Sequence, residues 1–265
     1  MFSPPLFALP ITIILLLLVL AMPLIIIYLF FRLTETAFEQ VGFDHWHASL
    51  AVFGSIIGSL INIPLHRAVI SSYPGWYISL AGIFSRGSPA HFHPFYLVIN
   101  LGGAIIPLII SVHLVLARRV SALKAVVGVF IVAILTYHLA APVPNQGITL
   151  PFWTTPALAA ICGLLLARGY HGAPALAYIS GAIGTLLGAD IFNLLTPGVI
   201  PVLSPAGAPA SQHMVLSIGG EGVFDGIFLT GILAVIFAAI IVRLFHPFRK
   251  GAKMHRDVQR DKRGF

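Results

Sequence analysis

No charged residue occurs before Arg32, and from Ala8 to Phe31 nearly every side chain is apolar. The hydrocarbon core of a bilayer takes about 20 apolar residues of helix. A stretch of this length and purity has few other places to go. Further apolar runs follow at roughly 48–65, 94–117, 120–141, 153–168, 174–196 and 221–245, the second and fifth being short. The pattern predicts an all-α, polytopic transmembrane bundle of about seven spans. Composition agrees: 58% of residues are hydrophobic and 9% charged, where a soluble domain is about a quarter charged. The first run precedes the first positive charge, the reverse of a cleavable signal, so it reads as a retained span.

The distribution of charge excludes nucleic acid as the reason for the formal charge of +7. Eight of the fifteen Lys and Arg lie at or after Arg243, behind the last apolar run. Residues 1–245 therefore form one membrane domain. Residues 246–265 form a basic cytoplasmic tail suited to anionic lipid headgroups. With that tail inside, counting back through seven spans places Arg32, Arg118, Arg119, Lys124 and Arg168 inside as well. Only Arg67 and Arg86 fall outside, which satisfies the positive-inside rule and puts the N-terminus outside a cell membrane. Cys162 is the only cysteine, so no intrachain disulfide forms.

Between the spans, Leu33–His47 is polar enough for a cytoplasmic surface helix. Ala68–His93 is an external segment whose Tyr73, Trp76 and Tyr77 suit the membrane interface. Pro142–Thr155 and Pro197–Ile218 are external loops rich in Pro, Gly and Ala.

The polar residues inside the spans converge on one depth. Asn62, His138, Asp190 and Asn193 lie in the later halves of outward-running spans. Asn100, Glu221 and Asp225 lie in the first turns of inward-running ones. All fall toward the outer face, while His113 is the exception nearer the inner one. Asp190 and Asn193 share a helix face, as do Glu221 and Asp225. Gly181, Gly184 and Gly188 run beside Asp190, and Gly222 and Gly226 bracket Asp225, which allows close helix approach.

Plainer roles exist for several of these. Asn62 and Asn100 suit bonding to backbone freed by Pro64, Gly102 and Gly103. His138 suits the wet interface, and Glu221 a helix start. The pairs His45/His47 and His91/His93 lack a third ligand, so neither a metal nor another cofactor is implied. The aspartates resist such readings, because an acid in hydrocarbon is expensive and is usually functional.

Two carboxylates in a low-dielectric layer cannot both ionise cheaply. One keeps its proton and the other is a base. Such a pair activates water on a peptide carbonyl, or binds and releases a proton during transport. With Asn62, Asn100 and Asn193 it forms an oxygen-rich cation site instead.

The stretch from Gly222 to Gly231, with Val223, Phe224, Asp225 and Gly226, resembles the Gly-x-Gly-Asp helix of presenilin-type intramembrane aspartyl proteases. Phe224 stands where that family has its second glycine. The family's Pro-Ala-Leu motif is matched twice, at Pro156–Leu158 and Pro174–Leu176. That resemblance implies a catalytic pair of Asp190 and Asp225 and a transmembrane peptide substrate. Four longer stretches are similar to a prokaryotic membrane family known as domain of unknown function sixteen-fourteen. They are Ser59–Leu65, Asn100–Gly103, Tyr178–Asp190 and Ser217–Gly231. That resemblance implies a polytopic membrane protein and no particular activity.

The leading expectation is an intramembrane aspartyl hydrolase. Asp190 and Asp225 are its catalytic pair, and Asn62, Asn100, His138, Asn193 and Glu221 orient water or substrate. A proton- or cation-coupled transporter using the same layer, or a non-catalytic membrane scaffold, are the alternatives.

Overall fold

The computed structural model describes residues 8–65, 95–144, 147–167, 172–196, 199–203, 214–220 and 226–261. The external segment 68–93 and the acids Glu221 and Asp225 lie outside the described residues.

Helix α1 spans Ala8–Val41, with Pro23 inside it. Its large side chains from Ile13 to Leu29 are exposed all round, as a lipid-facing helix requires. Beyond them Thr34, Ala37, Phe38 and Val41 are buried. Residues 33–41, expected as a separate surface helix, thus continue α1 into the bundle. Their one apolar stripe is enough to dock them. The chain turns at Gly42, whose φ of 109° lies in the left-handed region that favours glycine. A Cβ there would sit 3.0 Å from the Arg119 guanidinium.

Helix α2, His45–Gly58, returns against α1. Glu35 of α1 accepts from the Ser49 hydroxyl of α2, and His45 Nδ1 lies 3.3 Å from the same carboxylate. Trp46 is exposed beside them, which suits the aromatic belt of an interface.

Helix does not fill every apolar run. The second run leaves helix after Gly58 and becomes strand β1, Asn62–Pro64. Pro64 has no N–H and pushes Ile63 out of the helical region, which explains the exit. The third run opens as strand β2, Phe95–Asn100. It turns helical only at α3, Leu101–Leu116, whose first turn is a wide π turn. Strand β5, Met214–Ile218, lies parallel to β2, and β1 lies antiparallel to it. The result is a three-stranded sheet in the order β1-β2-β5 within an otherwise helical fold.

Helices α4 (Ala122–Leu139), α5 (Thr154–Leu166), α6 (Ala173–Leu195) and α8 (Gly226–Asp261) build the core. A short helix α7, Val199–Leu203, and a hairpin of β3 (Ala141–Val143) with β4 (Gly147–Thr149) complete the described elements. Helix α6 is the axis, with every residue from Ala173 to Ala182 buried. Small residues let its neighbours close on it: a Cβ at Gly163 would meet Ala177 backbone at 2.7 Å, and one at Gly188 would meet Ala133 O at 2.2 Å. Without a hydrophobic drive inside lipid, such close packing holds helices together.

Ile13–Val41, Ala122–Leu139, Ala173–Leu195 and Gly226–Leu244 are long and apolar enough to cross a membrane, and Leu101–Leu116 and Thr154–Leu166 are shorter apolar helices. The fold is an all-α membrane-protein bundle, with the sheet as its one departure.

Candidate functional site

Three extended segments pair in one sheet within the helical fold. Strand β1 follows the end of α2, β2 precedes α3, and β5 precedes α8 along the chain. Broken backbone inside an apolar protein exposes N–H and C=O groups that need partners. The sheet supplies some, and Asn100 supplies others. Its side-chain Oδ1 accepts from Gly103 N–H at 2.8 Å, capping α3. Its amide donates to Ser59 O at 2.7 Å and to Asn62 Oδ1 at 3.0 Å. Asn62 and Asn100 are also register partners across β1 and β2. The Ser217 hydroxyl of β5 donates to Gly220 O at 2.7 Å and lies 3.3 Å from Asn62 Oδ1.

Asp190 reaches this junction from α6. Helix widens to π geometry over Leu186–Phe192, a distortion often found at functional positions. The carboxylate Oδ2 accepts from Gly219 N–H at 2.7 Å. Gly219 and Gly220 have φ of 98° and 73°. A left-handed pair of this kind turns the N–H toward the acid, and side chains are disfavoured there. Space adds to this, since a Cβ at Gly219 would lie 2.8 Å from Ala104. Along α6, Asp190 stands roughly 26 Å from Ala173 at 1.5 Å rise per residue. The opposite end is where Gly42, Arg119 and Gly172 gather.

A cavity of about 160 Å³ opens beside Asp190. Its walls include Leu150 and Phe152 after the β3–β4 hairpin, Thr155 of α5, Gly220, and Gly226 and Thr230 of α8. The Thr155 hydroxyl is buried and has no hydrogen-bond partner among the described residues. Among the described residues, no Lys, Arg or His belongs to the lining.

The expected site residues therefore divide. Asn62 and Asn100 bond to each other across β1 and β2, whereas Asp190 bonds to Gly219 just after β5. Asn193 is buried, but its amide donates to Gly188 O at 3.0 Å in its own helix, where it secures the widened turn. His138 is exposed and stacks edge-on with Tyr137 at 5.2 Å, away from the cavity. It belongs to the helix end, where its polarity is solvated. Asp225 and Glu221 lie outside the described residues, although Gly226, next to Asp225 in the chain, lines the Asp190 cavity. Sequence reading missed Ser217, Gly219, Thr155 and Thr230. One signal was present: Ser217-Ile218-Gly219-Gly220 echoes Asn100-Leu101-Gly102-Gly103. Among the described residues no group of three His, Cys, Asp or Glu stands at metal-binding geometry.

The family described as "Protein of unknown function (DUF1614)" matches residues 56–237, and the chain belongs to it. No curated protein and no solved structure matches the chain.

Proposed function

For a DUF1614 family member built this way, we propose an ion-coupled membrane transporter in which Asp190 is the group that takes up and releases a proton or cation. The observation that carries this reading is an acid in a widened helical turn, held by Gly219 N–H beside the sheet and lining a cavity. Secondary transporters bind substrate and coupling ion where spans unwind, because freed backbone groups and half-helix ends then face the ion. Here β1, β2 and β5 pair in one sheet within the helical fold, and Gly219 N–H, just after β5, contacts the Asp190 carboxylate. An acid facing a largely apolar cavity, with no basic partner among the described lining residues, favours whatever cation neutralises it.

The reading places the protein in the cell membrane with its basic tail in the cytoplasm against anionic headgroups. The test is ion flux in proteoliposomes carrying wild type or Asp190→Asn. Transport predicts flux driven by a proton or cation gradient in wild type and its loss in the variant. Equal flux from both, or none above empty liposomes, contradicts it.

A second reading, the intramembrane aspartyl hydrolase, draws on one observation: Gly226, which follows Asp225 in the chain, lines the same cavity as Asp190. It requires the two carboxyl groups within about 6 Å so that they share a proton. Cleavage of a transmembrane peptide by wild type, lost in both Asp190→Asn and Asp225→Asn, supports it. Absence of cleavage with intact ion flux sinks it.

A further inference from the structure

We infer that Ser217 is a positioning residue of the Asp190 site: its hydroxyl fixes the turn after β5 that holds Gly219 N–H against the carboxylate. The inference rests on the transport reading and deepens it, by naming the group that sets how tightly Asp190 holds its ion.

The turn is built from residues that do not hold it alone. Gly219 and Gly220 have φ of 98° and 73°. Glycine reaches such angles without steric penalty but is equally free to leave them. Ser217 supplies the restraint. Its backbone is anchored in the sheet, opposite Val98 of β2. Its hydroxyl donates to Gly220 O at 2.7 Å. That bond closes a ring through Ile218, Gly219 and Gly220, so the torsions that aim the Gly219 N–H are held from both sides. Gly219 itself is buried against Ala104, where an added Cβ would come within 2.8 Å. The N–H so placed meets Asp190 Oδ2 at 2.7 Å.

The consequence for an ion follows from charge. A hydrogen bond to an ionised group is roughly twice as strong as one between neutral partners, and a bond to the charged form favours that form. A proton or cation arriving at Asp190 therefore competes with Gly219 N–H. A firm turn favours release, whereas a loose one leaves the carboxylate to hold its ion harder.

The hydroxyl also has a second acceptor. Asn62 Oδ1 lies 3.3 Å from it and already accepts from the Asn100 amide at 3.0 Å. One proton does not serve both acceptors fully, so a turn that releases Gly220 O passes the hydroxyl to Asn62. Asn100 in turn holds Ser59 O at the end of α2 and Gly103 N–H at the start of α3. Ser217 thus stands between the acid of α6 and the bonds that close α2 and α3.

The test joins ion flux to amide exchange. In proteoliposomes, flux driven by an imposed proton gradient, and separately by a sodium gradient, gives a maximal rate and a half-saturating concentration for the driving ion. Ser217→Ala should lower the half-saturating concentration about fivefold, the scale of one ordinary hydrogen bond, and lower the maximal rate because release slows. Ser217→Thr keeps the hydroxyl and should restore both. Ser217→Cys, a weaker donor of similar size, should fall between them and serves where the alanine variant does not fold. A half-saturating concentration unchanged or raised in Ser217→Ala overturns the assignment, because a merely weakened fold gives that result. In detergent, exchange of the Gly219 amide followed by NMR should quicken about fivefold in Ser217→Ala, while buried Gly181 of α6 keeps its rate. Equal quickening of both amides, or of neither, also overturns it. The expected Gly219 exchange with no flux from wild type removes transport and leaves Ser217 as the residue that positions Gly219. Flux sensitive to Asp190→Asn, with Gly219 exchange indifferent to Ser217→Ala, removes the Ser217 role and leaves transport standing.

Discussion

Gly188 and Gly102 decide how closely helices approach at the site. A Cβ on Gly188 would lie 2.0 Å from Thr136 Oγ1, and one on Gly102 would lie 2.0 Å from Ser55 O. Alanine usually favours a helix over glycine by about 1 kcal/mol. Here backbone atoms are in the way, and overpacking of about 1–3 kcal/mol wins. Gly188→Ala and Gly102→Ala should each lower the melting temperature in detergent. Gly54→Ala, whose Cβ would meet only Ile106 Cδ1 at 3.7 Å, should leave it unchanged or slightly raised. Asn100→Ala strands Ser59 O and Gly103 N–H and should destabilise by about 1–3 kcal/mol. Much of this residue scale was legible beforehand. Acids and asparagines are conspicuous in an apolar run, so Asn62, Asn100 and Asp190 stood out. Thr155 and Thr230 did not, because a threonine in an apolar helix normally bonds to its own backbone and gives no signal that it faces a cavity.

At the scale of elements, apolar runs announce that a segment is buried or in lipid, but not that it is helical throughout. Strands β1 and β2 lie in runs hydrophobic enough to read as helix. Pro64 explained one exit, whereas β2 depends on pairing with β5, more than a hundred residues later, which no local pattern reveals. The α1–α2 turn was likewise hidden, since Gly42 is held by Arg119 from a distant connection. That turn supplies a pH prediction. Asp44 is hydrogen-bonded by His47 in the first turn of α2, and this bond holds its carboxyl below the usual value of 3.8. A depressed native pKa contributes stability above the unfolded value and loses it as pH falls through the native one. Wild type should therefore lose thermal stability below about pH 4 more steeply than Asp44→Asn. The effect should be small, because both side chains are exposed. Parallel acid melts of the two proteins would contradict this account of the turn.

At the scale of the whole molecule, the described residues form a small-residue-packed helical frame around a polar junction. The apolar runs and the basic residues between them were the signals: the runs conveyed the helical frame, with four helices long enough to cross a membrane and two shorter apolar ones among the described residues. They also yielded an orientation, which predicts that a tag after Phe265 is reached by reagents only from the cytoplasmic side. Labelling from outside would reverse it. The junction's chemistry was less legible than its position, because it depends on where backbone is freed. Asp190→Asn is a clean probe of that chemistry, since the amide oxygen still accepts from Gly219 N–H and only the charge is lost. The most direct measurement is ion uptake into proteoliposomes under an imposed gradient, wild type and Asp190→Asn side by side, with matched melting temperatures. The account predicts uptake by wild type and a loss of about tenfold or more in the variant, as removal of a charged contact implies. Equal uptake by the two proteins would contradict it.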